Sequence, residues 1–191
     1  MTDPTTIEAI QAEADTQRWL ERAVIGLNLC PFAKAVHVKA QIHYAVYLPA
    51  EASDLMEALL SEANELAAVD AAVRDTTLLI APNTLADFLD FNDFLARAER
   101  KLARAGFDGV FQLASFHPQF QFAGTEADDI TNATNRAPYP TLHLLREDSV
   151  SRAVEAFPEA EAIFERNIET LEALGPSGWA ALDVGPGSAK P

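Results

Sequence analysis

The stretch VHVKAQIHYAVYL, Val36 to Leu48, decides how the fold is read. On an extended chain Val36, Val38, Ala40, Ile42, Tyr44, Val46 and Leu48 fall on one side, and His37, Lys39, Gln41, His43 and Tyr47 on the other. Side chains alternate across a strand, so this pattern predicts a sheet with one buried and one polar face. A strand covered on both faces would be apolar throughout. The expectation is an α+β protein. Its core is a two-layer sandwich in which a roughly four-stranded mixed or antiparallel sheet carries helices mainly on one face, with a ferredoxin-like arrangement as one form. A three-layer α/β sheet is the alternative.

Outward from that stretch, TTLLIA (Thr76–Ala81), Val110–Ser115 and Thr141–Leu145 are short apolar runs that predict three further strands. Thr5 and Glu8 have capping-box spacing for a first helix, and Ser53 can open a second that runs to about residue 74. A third helix is expected over roughly 84–105. Asp87, Asp90 and Asp93 crowd its start and Arg97, Arg100, Lys101 and Arg104 its end, an order that suits the helix dipole, and Gly106 stops it. Residues 149–157 and 159–174 predict two more helices joined at Pro158. The Gly-, Pro-, Ser- and Ala-rich stretch 175–191 reads as a flexible tail on a single domain spanning 1–174.

With 14 basic and 29 acidic residues the formal charge is 14 − 29 = −15. Such a field repels nucleic acid and anionic membrane surfaces, so neither is an expected partner. The start, MTDPTTIEAIQAEAD, lacks the basic-then-apolar order of a signal peptide, and no apolar run has the length of a membrane span; a cytoplasmic location follows as the expectation. A single cysteine, Cys30, excludes an internal disulfide framework. From Arg22 through Ala50 there is no Asp or Glu, an uneven spread that points to a locally positive surface able to attract a small anion.

The densest chemistry lies in SFHPQFQFAGTEADDITNATNRAPYPTLHLLRE, Ser115 to Glu147. A strand ending in FHP passes straight into a loop, where rigid scaffolds place functional groups. His117 is the candidate acid or base there, with Asp129 or Asp128 to orient it. Gly124 and Thr125 suggest an anion-binding turn. A short helix over 129–135 would align Asn132, Asn135 and Arg136 on a polar face, with Arg136 as the sharpest anion contact. Pro138 and Pro140 stiffen Tyr139, and Arg146 closes the run. Cys30 in LCPFA is a candidate nucleophile if the fold brings it beside this loop, although a position after a helix C-terminus raises a thiol pKa. His117, His143 and an acid could form a metal set, but their spacing matches no ligand motif. P-loop, GxGxxG, GxSxG and CxxC patterns are all missing, and no cofactor is named by the residues.

LNLCPFA together with the 115–147 segment resembles a bacterial family known as domain of unknown function 1415. The resemblance covers most of the chain, and its matching positions include Cys30, Pro31, His117, Gly124, Thr125, Asp129, Asn132, Asn135, Arg136, Tyr139, His143 and Arg146. It implies no activity and no catalytic residues. From the residues themselves, the expected function is an enzyme, a hydrolase or transferase, acting on a small polar or anionic molecule in a pocket built from 115–146. A non-catalytic binding module and a metal protein are the alternatives.

Overall fold

A computed structural model describes residues 3–157 and 162–187. Four strands form one open mixed sheet: β1 (Ile42–Val46), β2 (Thr76–Ile80), β3 (Phe111–Phe116) and β4 (Thr141–Arg146), in spatial order β1-β2-β4-β3. β1 and β2 are parallel, joined through the helix α3 (Ala52–Ala68). β4 inserts antiparallel between β2 and β3, pairing Leu78 with His143 on one side and His143 with Ala114 on the other. The α+β class and the four-stranded mixed sheet are as expected. The ferredoxin-like form is not: it needs the order β-α-β-β-α-β, whereas here a helix, α4 (Phe88–Leu102), also separates β2 from β3.

One sheet face carries the main core. Leu79, Leu142, Leu144 and Phe111 pack against Leu55, Leu59 and Leu66 of α3 and Phe91, Phe94 and Ala98 of α4. Asp87 caps α4 by accepting from the Leu89 and Asp90 N–H groups, and Gly106, at φ 91°, ends its last turns in the left-handed region. The opposite face meets α1 (Pro4–Trp19) and its π-helical continuation Leu20–Ile25, through Ala12, Trp19, Leu20, Ile42, Tyr44, Leu78 and Ile80. Helices thus lie on both sides of the sheet rather than mainly on one. α1 starts on Pro4 after Asp3, without the expected Thr5–Glu8 box.

The Val36–Leu48 stretch is only half strand. Residues Ala33–Val38 form α2, Ala40 turns the chain at φ 54°, and only Ile42–Val46 pair. Ala33, Lys34 and Ala35 favour helix, and the alternation VHVKA before Gln41 satisfies a two-residue period without a strand to hold it.

After β4 the chain enters α5 (Glu147–Ala156) directly, and α6 follows (Ile163–Ala181), kinked at Gly175 and Pro176. The joint expected at Pro158 lies outside the described residues. The stretch read as a tail is, through Gly187, seated on α1. Arg18 donates to Asp183 O (2.9 Å) and Gly185 O (2.9 Å), and Arg22 to Leu182 O (3.0 Å). Gly187 N–H donates to Asp15 Oδ2 (2.8 Å), and Val184 is buried beside Trp19. Residues 188–191 lie outside the described residues.

Candidate functional site

The 117–136 segment is a polar loop closed on itself. Asn132 is fully buried at the start of a 3-10 helix, Ile130–Asn135, capped by Asp129. Its Oδ1 accepts from Phe122 N–H (2.9 Å) and from the Thr125 hydroxyl (2.8 Å), and its Nδ2 donates to Glu126 O (2.8 Å). Asp129 Oδ1 accepts from the Thr131 hydroxyl and N–H, which hold its carboxyl below the usual range. Arg136 donates to Phe120 O (3.1 Å) and Ala127 O (2.6 Å), and burial lowers its pKa. These contacts answer the loop's own carbonyls and amides, so Asn132 and Arg136 of the expected polar face point inward.

His117 shares that fate. It has no exposed surface and stacks between Phe88 and Phe91, with ring centroids 5.4 and 5.1 Å away. Nδ1 accepts from Gln119 N–H (3.0 Å), so Nε2 carries the proton and donates to Leu85 O (3.0 Å). Burial lowers its pKa against the opposing pull of Leu85 O and Asp87. Neither nitrogen is open for proton transfer. Tyr139 donates to Asp15 Oδ2 (2.7 Å), and burial followed by that bond pushes its hydroxyl pKa up. Arg146 donates to Leu66 O, Val69 O and Arg74 O, closing the carbonyl end of α3.

Open space lies elsewhere, on the α1 side of the sheet. A chamber of about 870 Å³ has its floor at every second residue of the strands: Ile42, Thr76, Leu78, Gln112, Ala114, Phe116, His143 and Leu145. The end of α1, the 29–33 turn, α2 and α5 wall it. Most of the lining is apolar. Cys30, His143, Asn135 and Arg146 are among the residues that line it.

His143 has a fixed tautomer. The Thr76 hydroxyl donates to Leu144 O (2.6 Å), so His143 Nε2 must donate to Thr76 Oγ1 (2.5 Å). Nδ1 therefore presents a lone pair, and no described residue donates to it. Burial drops this imidazole to about 4, so it is neutral at pH 7. The Cys30 thiol is pushed up by burial, partly offset by hydrogen bonds from the Phe32 and Ala33 N–H groups at the start of α2. It is a thiol, not a thiolate, at neutral pH.

A model for the family described as "Protein of unknown function (DUF1415)" matches residues 11–181. The chain belongs to the DUF1415 family. No curated protein and no solved structure matches it. The matched span of this DUF1415 chain holds both the self-bonded loop and all the walls of the chamber.

Of the residues singled out from the sequence, the structure gathers Cys30, His143, Asn135 and Arg146 around the chamber. His117, Asp129, Asn132, Thr125, Arg136 and Tyr139 stand outside it. The two histidines proposed as a metal pair lie on opposite faces of the sheet, His117 against α4 and His143 in the chamber. No group of three metal-ligating side chains occurs among the described residues. No helix among them is long and apolar enough to cross a membrane. Sequence reasoning missed the floor residues Ala114, Leu145 and Gln112. The usable signal was the two-residue period of β3 and β4, which puts them on His143's face.

Proposed function

We propose that this DUF1415 chain binds a small molecule in the chamber between its sheet and α2 and α5. The observation that carries this reading is the chamber itself. Its volume of about 870 Å³ falls within the ~300–1,000 Å³ of small-molecule pockets, and it pairs apolar walls with a few directed polar groups, as such sites do. α5 supports the same reading. It buries none of its residues although Val150, Ala153 and Ala156 line the chamber, so a ligand would complete the apolar contact that the helix otherwise lacks. The chamber still draws Phe116, Thr134, Asn135, His143, Leu145 and Arg146 from the 115–146 segment, and its other walls come from the sheet, the 29–33 turn, α2 and α5.

The test is a fluorescence titration with the neutral probe 2-naphthylmethanol against the wild type and Ala153→Trp. The substitution enlarges a half-buried wall residue toward the chamber. Saturable binding that Ala153→Trp weakens at least tenfold, at an unchanged melting temperature, is the expected result. Equal binding by both proteins would sink the proposal.

A second reading, hydrolysis or group transfer in the same chamber, is favoured by one observation: Cys30 and the lone pair of His143 Nδ1 share it. It predicts turnover that Cys30→Ser removes while probe binding persists. The raised thiol pKa weighs for binding as the first reading.

A further inference from the structure

The charges around the chamber run against those of the molecule. The chain carries −15 overall, yet the charged residues lining the chamber are Lys39, Arg146 and Arg152 against Asp75 alone. Two of these four answer each other. Arg146 Nε lies 4.0 Å from Asp75 Oδ1, and Asp75 also accepts the Ser149 hydroxyl (2.6 Å). Lys39 and Arg152 are left. Among the described residues Lys39 forms no ion pair, and Arg152 bonds only to Ser149 Oγ (2.9 Å). Both are exposed, which places them where the lining meets solvent.

The acid-free run Arg22–Ala50 gains a structural meaning from this. Val24, Leu29, Cys30, Phe32, Val36 and Lys39 all come from it and build one wall of the chamber. That wall adds no carboxylate beside Lys39; near Arg152 the acids are Asp75, shared with Arg146 and Ser149, and Asp148 and Glu155 on α5, while the more distant acids are screened beyond about 10 Å at ordinary ionic strength. The deeper lining, Trp19, Leu20, Val24, Phe116 and Leu78, offers no charge at all.

We infer that the ligand is an amphipathic anion: a carboxylate or phosphate head held at the Lys39–Arg152 rim, and an apolar body lying over the strand floor toward Trp19. This rests on the chamber reading above and specifies its ligand class. The head group is the shared chemistry of organic acids and phosphate esters.

Four naphthalene compounds of near-equal shape provide the test: 2-naphthoate, 2-naphthyl phosphate, 2-naphthylmethanol and 2-naphthylmethylammonium, each titrated against the full-length protein at low and at 0.5 M salt. At least one anion should bind at least tenfold more tightly than the alcohol, and the ammonium more weakly than either. The preferred anion then tells carboxylate from phosphate. Salt should weaken the anion and leave the alcohol unchanged. In the double variant Lys39→Gln, Arg152→Gln the anion should lose about tenfold and the alcohol less than twofold. Exposed sites make misfolding of this variant an unexpected event, and alcohol binding reports on it directly. If the alcohol binds as tightly as both anions, or if the double variant leaves anion affinity unchanged, the head-group assignment is overturned while the chamber reading stands. If none of the four binds, both fall together.

Discussion

Two adjoining regions of the molecule are made of opposite materials. The 117–136 loop is crowded with amides, carboxylates, hydroxyls and an arginine, and it closes on itself. The chamber holds few polar groups, yet His143 Nδ1, Lys39 and Arg152 are open in it. The difference teaches that polar density measures how many hydrogen bonds a segment can make, not how many it leaves for a ligand. A loop of twenty residues without long regular elements must satisfy its own backbone. Asn132, Thr125, Asp129 and Arg136 do that work here.

The comparison breaks most readily at Asn132. Asn132→Ala strips Phe122 N–H and Glu126 O of their partners in a buried setting, which should cost roughly 3 kcal/mol. In a chain of this length the melting temperature would fall by roughly 6–12 °C. An Asn132→Ala protein that melts like the wild type but loses probe binding would restore the loop as a ligand site.

The chamber side is sharpened by acid. His143 is held near 4 when folded against an ordinary value of 6.5, so the unfolded chain binds the extra proton between those values. Its contribution is full above pH 6.5 and is lost as pH falls toward 4, a loss of about 3 kcal/mol. His143→Gln should flatten the fall in melting temperature between pH 6.5 and 4.5. A slope unchanged by the substitution would mean that the ring is not held neutral by the chamber.

Arg136 carries the smallest effect. Its two bonds go to loop carbonyls, so Arg136→Gln should cost about 1–2 kcal/mol and leave affinity for 2-naphthoate within twofold. Loss of that affinity at full stability would reverse the contrast between the two regions.

Much of the scaffold was legible. Apolar runs such as TTLLI and TLHLL mark central strands because little else places four or five such residues in a row between turn signals. α4 announces itself through Asp87 and Gly106. α2 did not, since its alternating residues imitate a strand over the few positions that a short helix occupies. The chamber was hidden for a different reason. It draws single residues from four strands and several helices, and only register brings Ala114, His143 and Leu78 into line. The loop's chemistry was visible in the sequence, but not its direction, because hydrogen bonds between neighbours in a loop leave no period.

The clasp between α1 and the 182–187 stretch sets an order of events. Arg18 and Asp15 reach partners 167 and 172 positions away in sequence. During synthesis α1 is made well before Val184, and Trp19 and Val24 lack that partner until it emerges. That corner of the molecule is completed only once α1 and Val184 have both been made, and contacts of such span are the slow ones in folding.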